Sequence, residues 1–319
     1  MMKLKKTKAG FTLLELIIAV SITALLSLVA FQMLDGIVSV WKIADENISV
    51  ESEAQFALEQ IGRDLESVVF KKDNGPMFAV DVLKDDLNSG NWDSTNYNFG
   101  KPASNPTHFD PADNRYGWAG CWVRFFCASP TLNAVSYQII RAKPESGINE
   151  PRYSLFRTAV SNRFTMESGY NIKDANSYEL PNPQSEVHPG AIKSPDTYQS
   201  ILAENVIDFG VRLFVYDDAF TPSAAIDVYT PTGMRLVFPS DSNGVLDSTD
   251  TSHIAPIFNS VSADYPDAVE VYIRVINPLG AEKLREIEQN GPNNSAWYSV
   301  VEEHSKLFTK FIRIPSQAF

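Results

Sequence analysis

The sequence is poor in the residues that build covalent or metal-based chemistry. It has two cysteines in 319 residues, Cys121 and Cys127, too few for a disulfide-dense secreted scaffold. Its four histidines, His108, His188, His253 and His304, are dispersed. No His-Glu-x-x-His pattern and no Cys/His cluster at zinc spacing occurs. There is no Gly-x-Ser-x-Gly elbow, and Gly100-Lys101 runs into Pro102 where a phosphate loop needs Ser or Thr. Scattered carboxylates are abundant in an acidic chain, so a pair of them is a poor argument for acid–base catalysis. The reading is that the chain is not an enzyme and has no catalytic or cofactor-binding residues. Basic residues are also in deficit: the net charge of −12 argues against a nucleic-acid partner. Proline is absent before Pro76, and charge is absent from Leu16 to Leu34. These last two absences coincide and leave room for one long apolar helix.

What is present at the N-terminus fits that helix. Lys3, Lys5, Lys6 and Lys8 place +4 within the first ten residues, which leaves −16 on the remainder. Two ends of opposite sign suggest two environments. The apolar run begins at Phe11, and its only charged residue up to Leu34 is Glu15. As a helix, Phe11–Leu34 is roughly 36 Å long at ~1.5 Å per residue, enough for a hydrocarbon core of ~30 Å. The lysines keep the N-terminus cytoplasmic and send the body across. A secretory signal would place its small residues after the apolar run, whereas Ala9 and Gly10 lie before it. A carboxylate at Glu15 inside lipid costs about 2.5–3.5 kcal/mol on insertion scales, so it calls for a partner.

Gly10-Phe11-Thr12-Leu13-Leu14-Glu15, with its basic prefix and apolar continuation, resembles the class III signal of type IV pilins and type II secretion pseudopilins. The resemblance implies that a prepilin peptidase cuts between Gly10 and Phe11 and that Phe11 becomes the N-methylated terminus. It implies that Glu15 pairs with the N-terminal ammonium of a neighbouring subunit during assembly, which supplies the partner that burial requires. Where many relatives kink this helix with a proline, this chain has none. The other reading of the run is an ordinary signal anchor with a stray Glu.

Beyond Leu34 the pattern turns amphipathic. Ala54, Leu58, Ile61, Leu65 and Val68 recur at helical spacing, opposite Glu51, Glu53, Glu59, Arg63, Asp64 and Glu66. This predicts one helix from about Phe11 to about Phe70, or two with a hinge near Asp35-Gly36, stopped by Asn74-Gly75-Pro76. The organisation expected is a basic leader (1–10), a transmembrane helical half (11–34), an amphipathic periplasmic half (35–70) and a β-rich periplasmic head (71–319).

Within the head, period-two alternation marks half-buried strands. In 205–217 one face carries Ile207, Phe209, Val211, Leu213 and Val215. In 268–276 Val269, Val271, Ile273 and Val275 oppose Glu270, Tyr272 and Arg274. Segments 134–142 and 152–159 read as a hairpin; 121–127, 234–238 and 307–314 are shorter strands, and 280–289 a helix. The polar stretches 85–120, 161–200 and 239–267 read as surface loops. The fold class expected is α+β, a long N-terminal helix packed on an antiparallel β-rich head.

The succession Arg63-Asp64-Leu65, Val135-Ser136-Tyr137, Tyr153 to Arg157, Leu202 to Val206 and Asp267 to Val271 resembles the J-type minor pseudopilins of type II secretion, with longer insertions. This implies a structural subunit in a bacterial inner membrane that helps to initiate or cap a periplasmic pseudopilus. Its partners would be sibling pilin-like subunits, the inner-membrane assembly platform and, transiently, the peptidase. A minor pilin of a type IV pilus (adhesion, motility or DNA uptake) and a non-polymerising anchored periplasmic binding protein or enzyme are the alternatives.

Two further sites suggest themselves. Cys121 and Cys127 form a disulfide if their segment turns back. As an extended strand it holds them roughly 20 Å apart, as two buried free thiols. Asp241, Asn243, Asp247 and Asp250 crowd oxygen ligands around a Gly turn, a composition that suits calcium, as in some pseudopilins; the plainer reading is a solvated acidic turn.

Overall fold

No proline interrupts the chain before Pro76, and the only glycines between Leu13 and Glu66 are Gly36 and Gly62, which cost ~1 kcal/mol each relative to Ala. That whole stretch is helix α1 (Leu13–Glu66). The computed structural model describes residues 12–70, 78–82, 121–128, 130–142, 152–168, 172, 201–217, 233–238, 265–289 and 294–315. The chain divides into two compact units, Met1–Ser49 and Val50–Phe319.

In the second unit, α1 buries Val50, Ala54, Ala57, Leu58, Ile61 and Leu65. Their spacing is that of one helix face. The helix stops earlier than its periodicity predicts. Ser67 and Val68 donate their N–H groups to the carbonyls of Asp64 and Leu65 at 3.2 and 3.3 Å, three residues back, which tightens the last turn. Val68 then forms a β-bridge with Cys127.

That bridge leads into a five-stranded antiparallel sheet in the order β1 (Phe78–Val82), β2 (Cys121–Ala128), β3 (Leu132–Ala142), β4 (Arg152–Val160), β5 (Ile201–Glu204). The hairpin expected at 134–142 and 152–159 is present as β3 and β4, paired from Ala134↔Val160 to Ala142↔Arg152. A four-stranded antiparallel sheet follows, ordered β7 (Met234–Phe238), β6 (Val206–Tyr216), β8 (Ala268–Ile276), β9 (Ser305–Arg313). The chain passes from one sheet to the other at Asn205. Its φ of 55° lies in the left-handed region that Asn tolerates better than most residues, and its carbonyl accepts the Ile276 N–H at 3.0 Å.

The largest core cluster draws on α1 and both sheets. Rings carry it across: Phe70–Phe78 at 6.5 Å, Phe78–Phe125 at 5.6 Å, Phe125–Tyr137 at 6.1 Å and Tyr137–Phe209 at 6.5 Å. The architecture is α+β, as expected.

Several expectations need correction. Strands β6 and β8 are not half-buried, because the face opposite the valines is covered as well: Asp208, Arg212, Tyr272 and Arg274 are all buried. Arg212 there pairs with Glu270 at 2.9 Å. The polar stretch 161–200 is not all loop, for it contains α2 (Asn162–Ser168). Thr165 of α2 accepts the Ala134 N–H at 3.0 Å and donates to the Val160 carbonyl at 3.1 Å, which seats the helix on the sheet. The expected helix at 280–289 is α3 (Pro278–Gln289), begun by Pro278 at its first position and capped by Asn277, whose Oδ1 accepts the Gly280 N–H at 2.8 Å. A following helix, α4 (Asn294–His304), seats Trp297 and Val301 in the core. Its mix of Trp, Tyr, Val and Ser hides a two-residue stripe from periodicity. Stretches 85–120 and 239–264 lie outside the described residues.

Candidate functional site

The start of α1 is a capping box. The Glu15 N–H donates to Thr12 Oγ1 at 3.3 Å, and Glu15 Oε2 accepts from the Thr12 N–H at 3.0 Å and from the Thr12 hydroxyl at 2.9 Å. The first helical bond, from Leu16 N–H to the Thr12 carbonyl, is 3.2 Å. Glu15 is thus the third residue of the helix, where its charge also complements the positive end of the helix dipole. The spacing reading found Glu15 and missed Thr12. The signal was available, since Thr-Leu-Leu-Glu before an apolar run is the capping-box pattern.

From that cap the helix runs through Leu13–Val38, 26 residues of mean hydropathy 2.5 with none of its most apolar window buried. It is long and apolar enough to cross a membrane. The two hydroxyls near its start are satisfied locally: Ser21 Oγ donates to the Ile17 carbonyl and Thr23 Oγ1 to the Ala19 carbonyl, both at 2.8 Å. Neither needs water, which suits a helix in lipid.

Residues 5–31 match the family described as the prokaryotic N-terminal methylation motif. The chain carries a prepilin-type N-methylation motif. That motif is found in type IV pilins and type II secretion pseudopilins, and the match covers the start of the chain alone. It implies processing by a prepilin peptidase and assembly with other pilin-like subunits, and it agrees with an inner-membrane anchor. No curated protein and no solved structure matches this pilin-like chain. Gly10 and Phe11 fall within the matched residues but outside the described ones; Glu15 is the one residue of the three that the structure places.

A second constellation lies in the head of the pilin-like chain. Asp64, in the last turn of α1, takes a two-pronged contact from Arg157 of β4: Nε to Oδ2 at 2.7 Å and Nη2 to Oδ1 at 3.2 Å. The Tyr137 hydroxyl of β3 donates to the same Oδ2, Arg157 Nε also reaches that hydroxyl at 3.2 Å, and Gln60 Nε2 donates to Oδ1 at 3.1 Å. Sheet register explains the meeting, since Tyr137 and Arg157 are directly opposed. A carboxylate near a helix C-terminus opposes the dipole, and Asp64 is 5% exposed; the guanidinium offsets both costs. Burial and then the Asp64 charge push the Tyr137 hydroxyl well above its usual range. Burial alone would lower Arg157, but the hydrogen bonds and charge interactions with Asp64 and Tyr137 together outweigh that and raise it. The three segments were visible in the sequence; their convergence was not.

Cys121 and Cys127 are both buried and both free thiols, at opposite ends of the extended β2. The disulfide is therefore not formed, because the segment does not turn back. Burial first, and then Asp64, push the Cys127 thiol up to about 11, so it stays protonated and unreactive. The calcium candidates Asp241, Asn243, Asp247 and Asp250 lie outside the described residues. Among the described residues, no group of three or more His, Cys, Asp or Glu side chains is placed to hold a metal.

Proposed function

We propose that this chain is a minor pseudopilin of a type II secretion-like system, a structural subunit that helps to initiate or cap a periplasmic pseudopilus. The observation that carries this is Glu15, a lone carboxylate at the entrance to an apolar span and inside the matched motif. Cleavage after Gly10 frees an ammonium at Phe11, one residue from the cap. A carboxylate in lipid costs about 2.5–3.5 kcal/mol, and a sibling's ammonium brought beside it offsets that cost only when subunits stack. The apolar helix thus enters the filament, the head faces the periplasm, and the lysines stay in the cytoplasm. Force comes from a separate ATPase. The J-type reading is supported by the meeting of Asp64, Tyr137 and Arg157, which come from segments on which that resemblance rests.

The test is Glu15→Ala in the native host. The variant should insert and fold but be lost from sheared or cross-linked filaments. Mass spectrometry of the parent should find N-methylated Phe11 as the first residue. Normal incorporation, or a native protein beginning at Met1 or Met2, would falsify the reading. Deleting the gene should stop protein release to the medium and spare twitching and DNA uptake; the reverse pattern assigns the chain to a type IV pilus.

A further inference from the structure

We infer that the outer edge of β9 is a docking site for an extended, acidic segment of another protein, added to the four-stranded sheet as a further strand. The inference concerns the head alone and stands apart from the secretion reading.

The edges of the two sheets differ. Strand β5 has four residues, and α1 caps it, because Glu53 Oε1 accepts the Glu204 N–H. Strands β1 and β7 have five residues each, and the β6–β7 register is broken between Leu213 and Phe214. Strand β9 has nine residues paired to β8 without a shift, from Ala268↔Arg313 to Ile276↔Ser305. No described strand pairs with its other side. A long, unbulged edge is a template for strand addition unless something guards it.

The usual guard is an outward lysine, and β9 uses its central one elsewhere. Lys310 Nζ lies 2.9 Å from where a β-carbon on Gly62 would stand, so it is folded over the end of α1, whose negative dipole it complements. What remains at the middle of the edge is Thr309, exposed, and Phe311, 41% exposed. Lys306 and Arg313 are exposed near the two ends.

Charge selects the occupant. Between Ser305 and Arg313 there are three bases and no acid, in a chain of net charge −12. A second copy laid edge to edge would set β9 bases against β9 bases, which disfavours pairing. Lys306 and Arg313 fall on opposite faces of the unbulged strand, so an extended apolar segment with one acidic residue near each end would meet the ammonium and the guanidinium with its charges and Phe311 with an apolar side chain between them.

The test uses the full chain in non-ionic detergent with two labelled synthetic peptides matched to the nine residues of β9, one with Glu at the two positions that face Lys306 and Arg313 and Val elsewhere, the other with Lys at those two positions. The Glu peptide should slow amide hydrogen exchange in β9 but not in β8. It should also bind about tenfold more tightly than the Lys peptide, as complementary charge selects partners. In the double variant Lys306→Glu/Arg313→Glu, at two exposed positions that leave the fold intact, the preference should invert. No slowing in β9, equal binding of the two peptides, or an unchanged preference in the variant overturns the proposal. Slowing that appears with protein concentration and no peptide also overturns it, by assigning the edge to a second copy.

Discussion

Within one helix, two stretches treat apolar side chains in opposite ways. From Leu13 to Val38, α1 exposes its leucines, isoleucines and valines on every side. From Val50 to Glu66 it buries a single stripe and turns Glu51, Glu59, Arg63 and Glu66 outward. A stripe is completed by its own chain. An all-round apolar surface is completed only by lipid or by other helices. The boundary at Ser49/Val50 thus separates a part finished by folding from a part whose apolar surface its own chain leaves bare, and substitutions in the two parts should be felt in different measurements.

The largest effect should come from breaking the contact that fastens the finished stretch. Arg157→Leu leaves Asp64 buried without its cation and should cost the head about 3–5 kcal/mol. Denaturant unfolding of the full chain in detergent, followed by near-ultraviolet ellipticity, would measure it. Adding Asp64→Leu should restore most of the loss, since a buried pair replaced by packed apolar groups is often close to neutral. A double variant as unstable as the single one would mean that Asp64 contributes by some route other than charge.

The next comparison sets Ile61 against Leu25. Ile61 is 2% exposed and Leu25 66% exposed. Ile61→Ala should destabilise the head by about 2–5 kcal/mol, while Leu25→Ala should leave head unfolding where it was. A head that responds equally to both would erase the division between the two stretches of α1.

Two glycines sharpen it further. A β-carbon on Gly280 would sit 2.4 Å from His304 Cβ and 2.6 Å from Ile276 Cγ1. Those atoms cannot swing away, so Gly280→Ala should cost about 1–3 kcal/mol. At Gly62 the near atom is the flexible tip of Lys310. There the gain in helix propensity of ~1 kcal/mol competes with a displaced ammonium worth about 0.3–1 kcal/mol at a helix end. Gly62→Ala should therefore be near neutral or slightly stabilising in the same unfolding assay.

The sequence made some of this plain and hid the rest for physical reasons. The span was legible because lipid demands an uninterrupted run, and Glu15 was legible because it breaks that run. The strands β6 and β8 were legible from alternating valines, but the burial of Arg212 and Arg274 was not. Alternation reports one covered face and says nothing of a second cover. The short α2 was hidden in a polar stretch, since its attachment rests on the hydrogen bonds that Asn162 donates to the Leu132 carbonyl and Thr165 accepts from the Ala134 N–H rather than on an apolar stripe. The Asp64–Arg157 pair joins residues 93 positions apart. Only sheet register brings them together, and register is not written in local spacing.

The smallest effect, and the most discriminating, concerns Glu53, which lies just inside the finished stretch. Burial pushes its carboxyl above the ordinary 4.5; the Glu204 N–H pulls it down less strongly, and the Glu204 carboxylate adds to the rise. A raised carboxyl holds its proton more tightly folded than unfolded. Its contribution to stability is therefore largest below the ordinary value and is lost as pH climbs through the raised one. Glu53→Gln keeps the oxygen that accepts the Glu204 N–H and removes the charge. The variant should match the parent at about pH 4 and exceed it slightly at about pH 7, the gap opening across the mildly acidic range. Unfolding midpoints of both proteins across that range would show it. A gap that is constant with pH, or that closes as pH rises, would mean that α1 docks on β5 through an ordinary solvated carboxylate, and that the edge of the finished stretch lies nearer the head than Val50.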